Sequence, residues 1–224
     1  MDYIRDDLPK LIGSMKEGVI RIRDISLSLR TFSRADSGSP IAYNIHDGID
    51  STLLILKYRL KANEIRPAIE VVKEYGDLPA VRCYAGQLNQ VFMNLLANAI
   101  DALDESNQER SFEEIKAHPN CIMVKTELSK DSQFAVISIR DNGIGMTDEV
   151  KTKIFDHQFT SKAVGKGTGL GLAIAYAIVV DTHGGTLEVN STPGNGAEFA
   201  IAIPMKAKPK TVALSQQRIN VDAS

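Results

Sequence analysis

Residues 161–180 read SKAVGKGTGLGLAIAYAIVV, and they set Gly165, Gly167, Gly169 and Gly171 immediately before an apolar run. Glycine weakens regular structure, so this spacing marks backbone that must adopt a conformation, or allow an approach, that a Cβ would block. Two common phosphate motifs do not fit. A Walker A loop fails because Lys166 is followed by Gly167 and Thr160 stands where the first glycine belongs. A dinucleotide fingerprint counted from Gly165 or Gly167 lands on Leu170 or Leu172. What the stretch retains is the physics beneath both motifs: exposed backbone N–H groups, followed by a helix whose N-terminal end is electropositive. A flexible linker is the other reading open from these residues alone.

Outward from this stretch the pattern is mixed. The run Leu170 to Val180 predicts a helix, and GGTLEVNSTPGNGAEFAIAIP, residues 184–204, predicts a closing hairpin with a Pro-Gly-Asn-Gly turn. Upstream, QFAVISIRDNG and CIMVKTELSK predict two neighbouring strands. AGQLNQVFMNLLANAIDALDES, residues 85–106, predicts a helix with Leu88, Val91, Phe92, Leu95, Leu96, Ala99 and Leu103 inward. STLLILKYRLKAN reads as helix, and IRPAIEVVKEY and AVRCY as short strands. The order predicts an α+β fold: a two-layer α/β sandwich with a mixed sheet and helices on one face.

A separate element precedes it. Leu8, Leu11, Met15, Val19, Ile22, Ile25, Leu29 and Phe32 recur at steps of three and four, which predicts a long amphipathic helix over residues 1–36. Such a stripe needs a partner, either its own domain or a second helix in a dimeric bundle. Residues 37–40 read as a hinge, 41–206 as the main domain, and 207–224, polar and without an apolar period, as a disordered tail.

Bulk properties exclude several classes. The chain has 224 residues, 43% of them hydrophobic, enough for a real core. A formal net charge of −2 argues against nucleic acid as a partner. Cys83 and Cys121 lack metal or redox spacing and read as reduced structural residues. No apolar run reaches bilayer-spanning length and the N-terminus is too charged for a signal peptide. The expected setting of this chain is therefore cytoplasmic, without direct membrane contact.

Two constellations carry chemistry. Asn94, Asn98 and Asp101 recur along one face of the helix over 85–106, and amide and carboxylate oxygens suit Mg²⁺, which takes a few protein oxygens plus substrate phosphates. A solvated helix face is the plainer reading of that spacing. Asp141 leaves a strand just before Asn142-Gly143 and Gly145, where the backbone can turn and admit a flat ligand. A carboxylate accepts hydrogen bonds only, so it can read an exocyclic amine such as that of adenine; an ordinary Asp-Asn-Gly turn is the alternative.

Together these segments resemble a known family. NLLANAIDAL resembles the N box, DNGIGM the first glycine box, IFDHQFTSK the F box and GKGTGLGLAIA the second glycine box of sensor histidine kinases, in the family's order. The resemblance covers roughly Ile41 to Met205 and implies the ATP-binding catalytic domain of a two-component kinase, with the Bergerat-type fold shared with gyrase, Hsp90 and MutL. The segment ending LRTFSR resembles the second helix of the dimerisation and phosphotransfer domain. That implies a homodimer through the N-terminal helix in the full-length protein and a response-regulator receiver domain as phosphoryl acceptor.

The resemblance implies roles residue by residue. Asp141 would bond the adenine amine, with Gly143 and Gly145 making room for the ring. Asn98 would bind Mg²⁺, and Asp101 and Phe155 would contribute to the nucleotide site. Gly167, Thr168, Gly169, Leu170, Gly171 and Leu172 would hold the ATP phosphates, aided by Lys162 and Lys166. Asn94 stands where ATPase relatives carry a glutamate base; an amide cannot take a proton from water, which favours phosphotransfer over hydrolysis. Asn94 and Lys162 are thus the expected catalytic pair. Departures are plain: Asp101 replaces a frequent lysine, and His157-Gln158 a frequent Pro-Phe. His46, in YNIHDGID, is expected to be structural, and His118, His157 and His183 to be loop or turn residues. The acceptor histidine is expected on a helix absent from this chain, which would then not phosphorylate itself. An ATP-driven clamp or a noncatalytic nucleotide module are the rival functions.

Overall fold

The computed structural model describes residues 39–156, 159 and 169–206. The helix predicted over residues 1–36 and the tail predicted over 207–224 lie outside the described residues.

The sheet follows from period-2 patterning. Strands β2 (Glu70–Tyr75), β4 (Cys121–Leu128), β5 (Phe134–Asp141), β6 (Thr186–Ser191) and β7 (Ala197–Pro204) form one sheet in the order β2-β4-β5-β7-β6. The β2–β4 pair is parallel and the other three are antiparallel, so the sheet is mixed as expected. Register aligns Val124, Ile139, Phe199 and Val189 in one cross-strand row, and Thr126, Ile137, Ile201 and Leu187 in the next. These rows face the helices. The alternate residues, among them Lys125, Ser138, Glu198 and Glu188, lie on the other face, where Lys125 pairs with Glu127 at 2.7 Å. One face packed and one face polar is the pattern of a sheet covered on one side.

A smaller antiparallel pair, β1 (Ile41–Tyr43) and β3 (Val81–Cys83), leads into the helices. Helix α1 (Ile45–Ile55) begins earlier than the apolar pattern predicts because Asn44 caps it, its side chain accepting from the His46 N–H at 3.0 Å. A short α2 (Lys57–Leu60) follows. Extended structure does not reach back to Ile65: Asn63 Oδ1 accepts from the Ile65 and Arg66 N–H groups at 2.9 Å, and this Asx turn with Pro67 delays the strand to Glu70.

Helix α3 (Ala85–Ser106) has the limits its periodicity predicts, and every residue expected inward is buried. It packs on α1, β5 and α6 (Gly171–Tyr176). Helix α4 (Phe112–Ala117) is held by a capping box between Ser111 and Glu114, and α5 (Asp148–Lys153) is capped by Thr147. The helix predicted over Leu170 to Val180 starts at Gly171 and passes after Tyr176 into a π-helical run, Ala177–Thr182.

His183, expected as a turn residue, lies in a turn but is only 7% exposed and ties two elements together. Its Nε2 accepts from the Tyr84 N–H at 3.1 Å, which leaves Nδ1–H to donate to the Ile178 carbonyl at 2.7 Å. That arrangement requires the neutral ring, and burial lowers its pKa. The His46 ring stacks on Tyr75 at 4.3 Å, with Nε2 2.8 Å from the Thr126 hydroxyl. Cys83 and Cys121 are free thiols, and burial pushes Cys83 up to about 12. Among the described residues no helix is long and apolar enough to cross a membrane.

Candidate functional site

Strand parity places the key carboxylate. Ala135, Ile137 and Ile139 are the core-facing residues of β5, so two positions on, Asp141 ends the same stripe beneath α3. It is 4% exposed. Its Oδ1 accepts from the Gly143 N–H at 2.8 Å, which folds the chain back immediately after the strand. Burial raises its pKa, and the backbone hydrogen bonds from Gly143 and Ala197 act against that rise.

The opposite wall is built by helical periodicity. Asn94, Asn98, Asp101 and Glu105 recur at intervals of four, three and four, and all four line a cavity of about 450 Å³ whose lining also includes Asp141. Gly145, Gly169, Gly171 and Leu172 complete the expected part of the lining. Ala97, Ala102, Ile144, Met146, Thr147, Val150, Ile154, Phe159, Ala197 and Phe199 supply mostly apolar surface around the polar groups. A concave apolar site with a few convergent polar groups is the usual form of a small-molecule pocket.

The two ends of the cavity differ. At one end the Asn94 Nδ2 donates to the Gly171 carbonyl at 2.8 Å, joining α3 to the first turn of α6. Near the other, at Asp141, Gly143 is not in the lining but sits against α3, where a Cβ would fall 2.8 Å from the Ala102 backbone and 2.9 Å from Asp141 Oδ1. Gly145 has φ +68°, and a Cβ there would lie 2.0 Å from the Thr192 carbonyl. These two glycines therefore serve close packing of the protein's own backbone as well as any ring they would admit.

Asp101 has a partner that the sequence did not reveal. Arg59 of α2 reaches it at 2.5 Å and approaches Asp104 at 3.8 Å, while the buried Arg66 holds Asp104 at 2.7 Å. The carboxylate is 33% exposed. Phe155 lies off the cavity, its ring 5.2 Å from that of Tyr176, and Phe159 occupies the lining instead. Leu170 is 38% exposed and is not in the lining. Lys162, Lys166, Gly167 and Thr168 lie outside the described residues, as do His157 and Gln158. Glu105 was legible in principle, one helical turn beyond Asp101; Ile144 and Phe159 lie within the first glycine box and the F box, but nothing in their spacing singled them out as lining residues.

Comparison with known proteins bears on this arrangement. Residues 84–207 match the family described as histidine kinase-, DNA gyrase B-, and HSP90-like ATPase. The chain is 32% identical over 201 residues to Sensor kinase CckA of Brucella abortus (strain 2308), covering 89% of this chain and 20% of that protein. It is 30% identical over 185 residues to Signal transduction histidine-protein kinase AtoS of Escherichia coli (strain K12), covering 82% of this chain and 27% of the relative. The chain thus spans only about a fifth to two fifths of the length of the curated relatives it matches. Among solved structures, the catalytic domain of histidine kinase ThkA superposes with TM-score 0.56 at 24% identity, over 74% of this chain and 97% of that one. The mycobacterial sensor histidine kinase MprB gives 0.57 at 23%, over 75% and 98%. At these identities the structural likeness establishes the fold.

Proposed function

The chain belongs to the histidine kinase-, DNA gyrase B-, and HSP90-like ATPase family, and from that premise we propose that it is the ATP-binding catalytic portion of a two-component sensor kinase. It binds Mg-ATP in the cavity between α3 and β5 and directs the γ-phosphoryl group to a histidine on a dimerisation domain, for relay to an aspartate of a response-regulator receiver domain. The observation that carries this reading is the buried Asp141 facing a stripe of Asn94, Asn98 and Asp101 across one cavity.

Each part of ATP finds chemistry suited to it. Asp141, an acceptor-only group, orients the adenine amine in a nearly dry environment. Gly169 and Gly171, at the start of α6, border the end of the cavity assigned to the phosphates. Among the described residues no cluster of three or more His, Cys, Asp or Glu is arranged to hold a metal. Mg²⁺ takes few protein ligands; the Asn98 amide oxygen would hold it together with the nucleotide's own phosphates, and it would supply charge neutralisation there. Catalysis then rests on positioning and charge, as is general in phosphoryl transfer. Asn94 lines the cavity and, as an amide, offers no general base for water. Lys162, Lys166, Gly167 and Thr168 remain assigned to the phosphates by their place in the second glycine box.

The domain division extends this reading. By resemblance, residues 1–36, outside the described residues, would belong to a dimerisation region, 37–40 to a hinge and 41–206 to the catalytic domain, and the full-length protein would pair through its N-terminal segment. Calorimetric titration tests the site: Mg-ATP should bind with one-to-one stoichiometry and Mg-GTP at least tenfold more weakly, because a guanine carbonyl would face the Asp141 carboxylate. Equal affinity for both, or binding of neither, would refute it.

A further inference from the structure

We propose that Asp101, held by Arg59, binds the ribose hydroxyls of the nucleotide and makes the site selective for ribonucleotides. The inference rests on the ATP reading above and assigns Asp101 a partner within it.

The argument starts from position along α3. The helix advances about 1.5 Å per residue, so Asn94 and Ala102 lie about 12 Å apart along its axis. Asn94 meets Gly171 at the end assigned to the phosphates, and Ala102 meets Gly143 beside Asp141 at the end assigned to the base. A sugar joining base to phosphates must cross the wall between them. On the lining stripe, Asn98 and Asp101 occupy that interval, with Asp101 nearer the base.

Chemistry then selects the sugar. A carboxylate accepts hydrogen bonds and donates none. Phosphate oxygens are also acceptors and negatively charged, so Asp101 repels them, and the adenine amine is taken by Asp141. The ribose alone brings two neutral hydroxyl donors. Arg59 makes such a carboxylate tolerable near a triphosphate: paired at 2.5 Å, it offsets the negative charge and fixes the carboxyl orientation. A carboxylate has about four acceptor positions, so protein partners and a hydroxyl can share one such group.

The experiment compares the affinities of ATP, 2′-deoxy-ATP and 3′-deoxy-ATP for the whole chain, in the wild type and in Asp101→Ala and Asp101→Asn. The wild type should bind ATP about tenfold more tightly than at least one deoxy analogue, the lower end for a hydrogen bond to a partly exposed charged group. Asp101→Ala should erase that preference by weakening ATP while leaving the analogue that the wild type disfavours within about twofold, which also certifies that the variant is folded. Asp101→Asn, which lacks the charge, should retain only part of the preference. Equal affinity for all three nucleotides in the wild type would overturn the inference while leaving the ATP reading intact. So would a uniform loss across all three in both variants, the signature of Asp101 as a metal ligand or purely structural residue. Binding of no nucleotide would remove both.

Discussion

Replacing Asp141 by alanine separates the site from the fold. The carboxylate is 4% exposed, so water has little room to take its place against an adenine amine. A hydrogen bond to a charged group contributes about 1.5–3 kcal/mol, and burial favours the upper part of that range, about 2–3 kcal/mol. At 1.4 kcal/mol per tenfold, Asp141→Ala should weaken ATP binding by about 30- to 150-fold. Stability should move less. The substitution strands the Gly143 N–H, which costs about 1–3 kcal/mol, but it also removes a desolvated carboxylate. The sign of the second effect follows from the raised pKa: in the interval above the ordinary aspartate value the native state binds more protons, so ionisation opposes folding as pH rises through it. Isothermal calorimetry at neutral pH gives the affinity, and thermal unfolding monitored by circular dichroism gives the stability. A folded Asp141→Ala domain that binds ATP as the wild type does would refute the assignment of this residue to the base.

Two further outcomes follow from single residues. Asn98→Ala should keep the fold and lose most of the gain in ATP affinity that Mg²⁺ confers, checked by titrations with and without the metal; an unchanged gain would remove Asn98 as the ligand. His183 is neutral and its pKa lowered by burial, so between its native value and the usual value near 6.5 the unfolded chain binds more protons and stability falls as pH drops. Urea midpoints at pH 7.5 and 5.5 should therefore fall further for the wild type than for His183→Gln, and equal falls would contradict the buried neutral clamp.

What was legible in the sequence divides by the range of the interaction. The 22 residues of α3 carry six turns of apolar period, and their limits were readable to the residue. Asp141 was readable as a carboxylate leaving a strand before Asn142-Gly143, whereas its burial at the end of a core-facing stripe emerges from the structure. The start of α1 was missed because a single cap, Asn44, decides it, and α4 was missed although its Ser111–Glu114 capping box stands in the sequence. The His183 clamp depends on Tyr84, 99 residues away, and nothing local announces it. At the site, Asn94, Asn98, Asp101 and Asp141 were legible as spaced polar residues on apolar elements. Arg59, 42 residues from Asp101, was not, because its role exists only once α2 is folded against α3.

Phosphoryl transfer in trans tests the central claim most directly. The chain is incubated with Mg²⁺, ATP labelled at the γ-position and a separate dimerisation-domain fragment presenting a histidine on a helix. The expected result is slow appearance of acid-labile, alkali-stable label on that fragment and none on this chain, slow because untethered parts meet at low effective concentration. Tight ATP binding with no label on any supplied histidine helix, or label on His46 of this chain, would contradict the account.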